Sequence, residues 1–194
     1  MSTFLGLALQ LDASGAAMDC EAYVGRKSGK QDDKYLSMKI YHEGALIREL
    51  HADFEKGDEF ESATVTQYSR SKKYGFFNMI NSGCVESEDG SSFYHEVFYC
   101  GLVSTRTGCL ITIRTGEFCA GSFTDDDKWD NDVVPGFDLI QRSPRAVDFV
   151  EKRLVLESSP VSTYENLLMC DPPSKENLQE YEKIKRDTIF LNSK

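Results

Sequence analysis

With 194 residues, 40% apolar and 28% charged, the chain is large enough to close a hydrophobic core and lies well away from the composition of disordered proteins. Its 32 acidic against 22 basic residues give a net charge of -10, which repels phosphate backbones and anionic membranes and favours a cationic protein partner over nucleic acid. No stretch approaches the roughly 18 consecutive apolar residues of a membrane-spanning helix.

From Thr3 to Val24 the chain alternates, with Leu5, Leu7, Leu9 and Leu11 on one parity up to the turn Asp12-Ala13-Ser14-Gly15. Folding about Ala13-Ser14 sets Leu11, Leu9, Leu7 and Leu5 opposite Ala16, Met18, Cys20 and Ala22, a hairpin with one dry face. That pairing explains the apolar run Phe4 to Leu11 better than a signal peptide does, because no Lys or Arg precedes it and Asp12 ends it. After the polar loop Arg26 to Lys34, Leu36, Met38 and Ile40 alternate with Ser37, Lys39 and Tyr41 as a strand. Residues Ala45 to Lys56 fit a helix by the spacing of Leu46, Leu50 and Phe54, or a strand returning through Glu43-Gly44 that sets Met38 against Leu50. The strand is the reading adopted. Glu61 to Tyr68, rich in Thr and Val, predicts a further strand.

Arg70, Lys72 and Lys73 followed by Tyr74, Phe76 and Phe77 have the ingredients of a single-strand nucleic-acid platform. The cluster is short and isolated in an acidic chain, so it reads as a loop whose aromatics dip into the core. Asn81 to Ser92 reads as a turn-rich loop. From Val97 to Ala120, turns at Arg106-Thr107 and Thr115-Gly116 predict a three-run meander, with Phe98, Cys100, Leu102, Cys109, Ile111, Ile113, Phe118 and Ala120 on one apolar face. Thr124 to Asp132 is an acidic loop. Beyond it Ser143-Pro144 opens a helix carrying Val147, Val150 and Leu154; Ser159-Pro160 opens another through Met169; Ser174 begins a third lined by Leu178, Tyr181 and Ile184. The expected fold class is α+β over one domain, residues 1–194, with antiparallel sheet over 1–122 and helices over 143–190.

Six cysteines are too sparse for a disulfide scaffold, and Cys20, Cys100 and Cys109 fall on dry faces with none opposite another. Cys84 falls in a loop, Cys119 on a wetter face and Cys170 just before Pro172. Mostly free thiols and a cytoplasmic location are expected, with a processed periplasmic protein as the alternative.

The loop Asp125, Asp126, Asp127, Lys128, Trp129, Asp130, Asn131, Asp132 fails the spacing of a calcium-binding EF-hand, since Asp130 stands where Gly is required and no Glu closes it. It has instead the composition of an interface anchor, the single tryptophan among carboxylates. Asp125, Asp126, Asp127, Trp129, Asp130 and Asp132 are therefore the expected partner-binding residues, unless Trp129 folds back to cap the sheet. Among the imidazoles, His51 beside Asp53 or His95 beside Glu96 offer a hydrolase, with Cys84 as a conceivable nucleophile. Phosphate-binding glycine loops, CxxC pairs and HExxH are absent, and no metal or cofactor is expected. The expectation is a non-enzymatic acidic binding protein, such as an inhibitor or immunity-type protein for a basic enzyme or toxin. The alternatives are a small hydrolase using His51 or His95, or a carrier of an apolar ligand in a curved sheet.

Overall fold

The computed structural model describes residues 35–53, 57–156 and 158–191; the hairpin expected over Thr3 to Val24, with Cys20, lies outside the described residues. Strands β1 (Ser37–His42) and β2 (Ala45–His51) form a hairpin in which Met38 pairs with Leu50, as the alternation predicts. Glu43 and Gly44 take φ of 49° and 81°, the two left-handed residues that a type I′ turn requires. Met38 and Ile40 are buried while Lys39 and Tyr41 are exposed, so the period of two becomes a dry and a wet face.

The larger sheet is antiparallel in the order β3 (Asp58–Phe60), β5 (Tyr74–Glu86), β6 (Ser92–Ser104), β7 (Leu110–Thr115), with β4 (Gln67–Tyr68) also paired to β5. Among the described residues it stays open and closes no barrel. The strand expected over Glu61 to Tyr68 shrinks to Gln67–Tyr68. The loop expected over Asn81 to Ser92 is mostly strand: Asn81 to Glu86 prolong β5, and the chain turns only at Ser87 to Ser91, closed by the Ser87 N–H donating to the Ser91 carbonyl at 2.8 Å. The polar composition there belongs to a ribbon in water, where Cys84, Val85, Glu86 and Phe93 are all exposed.

The centre of this sheet is buried on both faces, which a single dry face did not anticipate. Phe76, Cys100, Leu102, Cys109 and Ile111 pack with Phe118, Trp129, Phe137 and Leu139 on one side. Phe77, Val103 and Leu110 pack with Met38, Ile40, Phe60 and Val65 on the other. Gly101 lets the Phe77 ring lie across β6, since a side chain there would come within 2.1 Å of the ring. A bulge lies between the pairs Leu102–Thr112 and Val103–Leu110, leaving Ile111 as the extra residue. It inverts the parity, so Ile113 packs against the second cluster with Leu110 rather than beside Ile111. Phe98 lies past the end of β7 and is exposed. The third run of the meander is a 3-10 helix at Gly116–Ala120, which buries Phe118 without sheet pairing.

The C-terminal third is helical, as expected, but in shorter pieces. One turn, α1 (Leu139–Arg142), is capped by the Asp138 carboxylate accepting from the Ile140 and Gln141 N–H groups. Helix α2 (Ala146–Val150) starts three residues after Ser143, with Asp148 accepting from the Arg145 N–H at 2.9 Å. A 3-10 turn at Pro160–Ser162 precedes α3 (Tyr164–Cys170), whose cap is Thr163. In α4 (Leu178–Leu191), Tyr181 and Ile184 are buried against Ala146, Phe149 and Leu167, while Leu178 is exposed. No helix among the described residues is long and apolar enough to cross a membrane.

The expectation of free thiols is overturned. Cys100 is bonded to Cys119 and Cys109 to Cys170, Cys84 is also disulfide-bonded, and no cysteine among the described residues is free. Strand parity places Cys100 and Cys109 correctly in the core, but their partners lie in a 3-10 turn and at a helix C-terminus, where parity says nothing. The second bridge ties α3 to the start of β7, and Asn166 ties it again. The Asn166 amide accepts from the Leu110 N–H at 2.8 Å and donates to the Leu110 carbonyl at 2.9 Å and the Val161 carbonyl at 2.7 Å.

Candidate functional site

The acidic loop is a tight hairpin between β8 (Ser122–Phe123) and β9 (Trp129–Asp130). Thr124 closes it, its Oγ1 accepting from the Lys128 N–H at 3.0 Å and its carbonyl from the Asp127 N–H at 3.1 Å. The hairpin is pinned to the turn between β4 and β5, because Asp127 accepts from the Ser71 N–H at 3.0 Å and Asp125 from Arg70 Nη1 at 2.8 Å. Burial alone would raise the Asp127 carboxyl, but bonds from Ser71 and Ser69 and the charge of Lys73 bring it below the usual carboxylate range. Asp126 is lowered by its bonds from Lys128 and Thr124, the ammonium standing 2.7 Å away.

Trp129, expected to face a partner, does not. It is 0% exposed, stacked on Phe76 with ring centres 4.8 Å apart, and its indole N–H donates to the Phe118 carbonyl at 2.9 Å. The reason is strand parity within the small hairpin: Asp130 faces water while Trp129 turns to the core beneath it. Asp125, Asp126, Asp130 and Asp132 remain exposed, and Asp130 also accepts from the Gly136 N–H at 3.0 Å. The structure thus keeps the aspartates on the surface and makes the tryptophan their foundation.

The hydrolase residues are not assembled. Cys84 has no thiol to act as nucleophile, because it is in a disulfide, and His51 and His95 are both exposed on different sheets. No group of three metal-binding side chains occurs among the described residues.

A cleft of about 520 Å³ lies where three turns meet, lined by Tyr41, His42 and Glu43 of the first hairpin, by Tyr68, Ser71, Lys72 and Lys73, and by Thr105 and Arg106. Thr105 holds two of these turns together, its N–H donating to the Lys73 carbonyl at 2.9 Å and its hydroxyl to the Lys72 carbonyl. Lys72 has φ of 59°, a left-handed conformation that this clamp maintains. A second hollow next to it is lined by Lys73 and Tyr74 with Asp126, Asp127 and Lys128. Burial, then the charges of Asp127 and Asp138, raise the pKa of Tyr74. The sequence singles out Arg70, Lys72 and Lys73, and Phe76 and Phe77 do enter the core, but nothing in it brings Arg106 or Tyr41 to the same place. No protein-family model, curated protein or solved structure matches the chain.

Proposed function

We propose that the chain is a non-enzymatic binding protein of an oxidising compartment, and that the exposed carboxylates Asp125, Asp126, Asp130 and Asp132 steer a basic protein partner onto it. The pinned acidic hairpin carries this reading. Bonds from Ser71 and Arg70 hold the Asp127 and Asp125 side chains, so the hairpin meets a cationic surface without a large ordering cost. The net charge of -10 adds a long-range field of the same sign and disfavours nucleic acid. An inhibitor or immunity-type protein is the simplest form of this role. The paired cysteines favour the extracytoplasmic alternative over a reducing cytoplasm.

The test begins with a partner captured from native material and identified. Replacing Asp125, Asp126, Asp130 and Asp132 by Asn should slow its association and flatten the salt dependence of the rate, with the melting temperature little changed. An association rate unaltered by the fourfold change would remove this surface from the interface.

A further inference from the structure

We infer that the cleft between the three turns is a binding site for a small molecule carrying a phosphate or sulfate beside a flat ring. In an acidic protein the cations around this cleft are conspicuous for what they do not do. Arg70 is paired with Asp125 and Lys128 with Asp126, whereas Lys72 and Arg106 form no ion pair among the described residues. Lys72 and Arg106, with Lys73, whose charge also acts on Asp127, thus bring three cations from two turns to one hollow, where like charges repel unless an anion lies between them. The one carboxylate of the lining, Glu43, is 86% exposed and stands 3.9 Å from His42 Nε2.

Three further features suit a ligand site. The volume is within the range of small-molecule pockets. The backbone carrying Lys72 and Lys73 is clamped by Thr105 and includes a left-handed lysine, a conformation that costs energy and recurs at binding sites. Tyr41 and Tyr68 in the lining are 50% and 51% exposed, leaving ring surface in water that a flat group would cover. The oxyanion would bond to Lys72, Lys73 and Arg106 while the ring it bears lies against the tyrosines. This site is separate from the acidic surface proposed for a protein partner.

The experiment titrates the full chain with phenyl phosphate, phenyl sulfate, inorganic phosphate and phenol, followed by calorimetry and by NMR shifts. Either phenyl ester should bind saturably and more tightly than inorganic phosphate or phenol, and the tighter of the two identifies the anion. Lys72→Gln combined with Arg106→Gln should weaken ester binding by about tenfold or more, since charge-assisted bonds are lost. Tyr41→Ala with Tyr68→Ala should erase the advantage of the esters over inorganic phosphate. These four residues have exposed side chains, so the variants should fold, which melting curves verify. Three results would overturn the assignment: no saturation by any ester, binding unchanged in the double charge variant, or an oligonucleotide that binds far more tightly than the esters through the same residues.

Discussion

Arg48 and Asn166, 118 residues apart in sequence, are joined in the interior by a 2.6 Å hydrogen bond from the guanidinium Nη1 to the amide Oδ1. Both are buried, and the same nitrogen donates to the Gly108 carbonyl at 2.6 Å. Burial lowers the Arg48 pKa, opposed by the charge of Glu165, yet an arginine stays protonated, so a charge is held inside largely by neutral carbonyl oxygens. Asn166→Ala should therefore be worse than Arg48→Met. The alanine removes one of the guanidinium's two acceptors and strands both backbone groups of Leu110, whereas methionine fills the space and leaves the Asn166–Leu110 bonds intact. Urea unfolding should show a loss of about 3–5 kcal/mol for Asn166→Ala and clearly less for Arg48→Met. The reverse order would mean that the arginine, not the amide, organises this junction.

Trp129→Ala should cost about 3–5 kcal/mol, because it empties a fully buried position and removes the stack on Phe76. The parent tryptophan emission should be blue-shifted and resistant to iodide. A melting temperature close to the parent would return Trp129 to the surface and to the interface.

Alkylation of the denatured, unreduced protein should label none of Cys84, Cys100, Cys109, Cys119 and Cys170. Replacing Cys109 and Cys170 by Ser opens a loop with a sequence separation of 61 and should cost about 4 kcal/mol by chain entropy, against about 3 kcal/mol for Cys100 and Cys119 with a separation of 19. Labelling of three or more cysteines would restore the reduced state expected from strand parity.

The Asp127 carboxyl is depressed in the folded protein, so its contribution to holding the acidic hairpin is complete above its ordinary unfolded value of about 4 and is lost as the pH falls through the lower folded value. NMR of the Ser71 amide should report release of the hairpin in that acid range. Asp127→Asn should abolish the transition, and an identical acid profile in this variant would assign it to another group.

Alternation in the sequence is enough to place the Met38–Leu50 pair and the Glu43-Gly44 turn, because that hairpin is wet on one side, although the register shifts by one residue between Ile40 and Tyr41. The same reasoning fails in β7, where the bulge at Ile111 inverts the parity and the strand is dry on both sides. The candidate site was legible in fragments. The aspartates and the Arg70 to Lys73 cluster stand out as charge, but their union with Arg106 and Tyr41 depends on the packing of three turns far apart in the chain. Trp129 misleads for a related reason: its neighbours in sequence are carboxylates, while its neighbours in space are Phe76, Phe118 and Phe123.

The pair of hydrogen bonds between the Asn166 amide and the backbone of Leu110 also bears on how copies of this protein behave toward one another. Among the described residues strand β7 is paired on one side only, to β6, and an unpaired backbone is a template on which another chain can add a strand. At Leu110 a side-chain amide already fills the role of the next strand, donating and accepting as a peptide group would. The helix that supplies it is stapled in place by Cys109–Cys170 and held again by the Arg48–Asn166 bond. Reduction would remove one of the ties that hold this guard against the sheet edge.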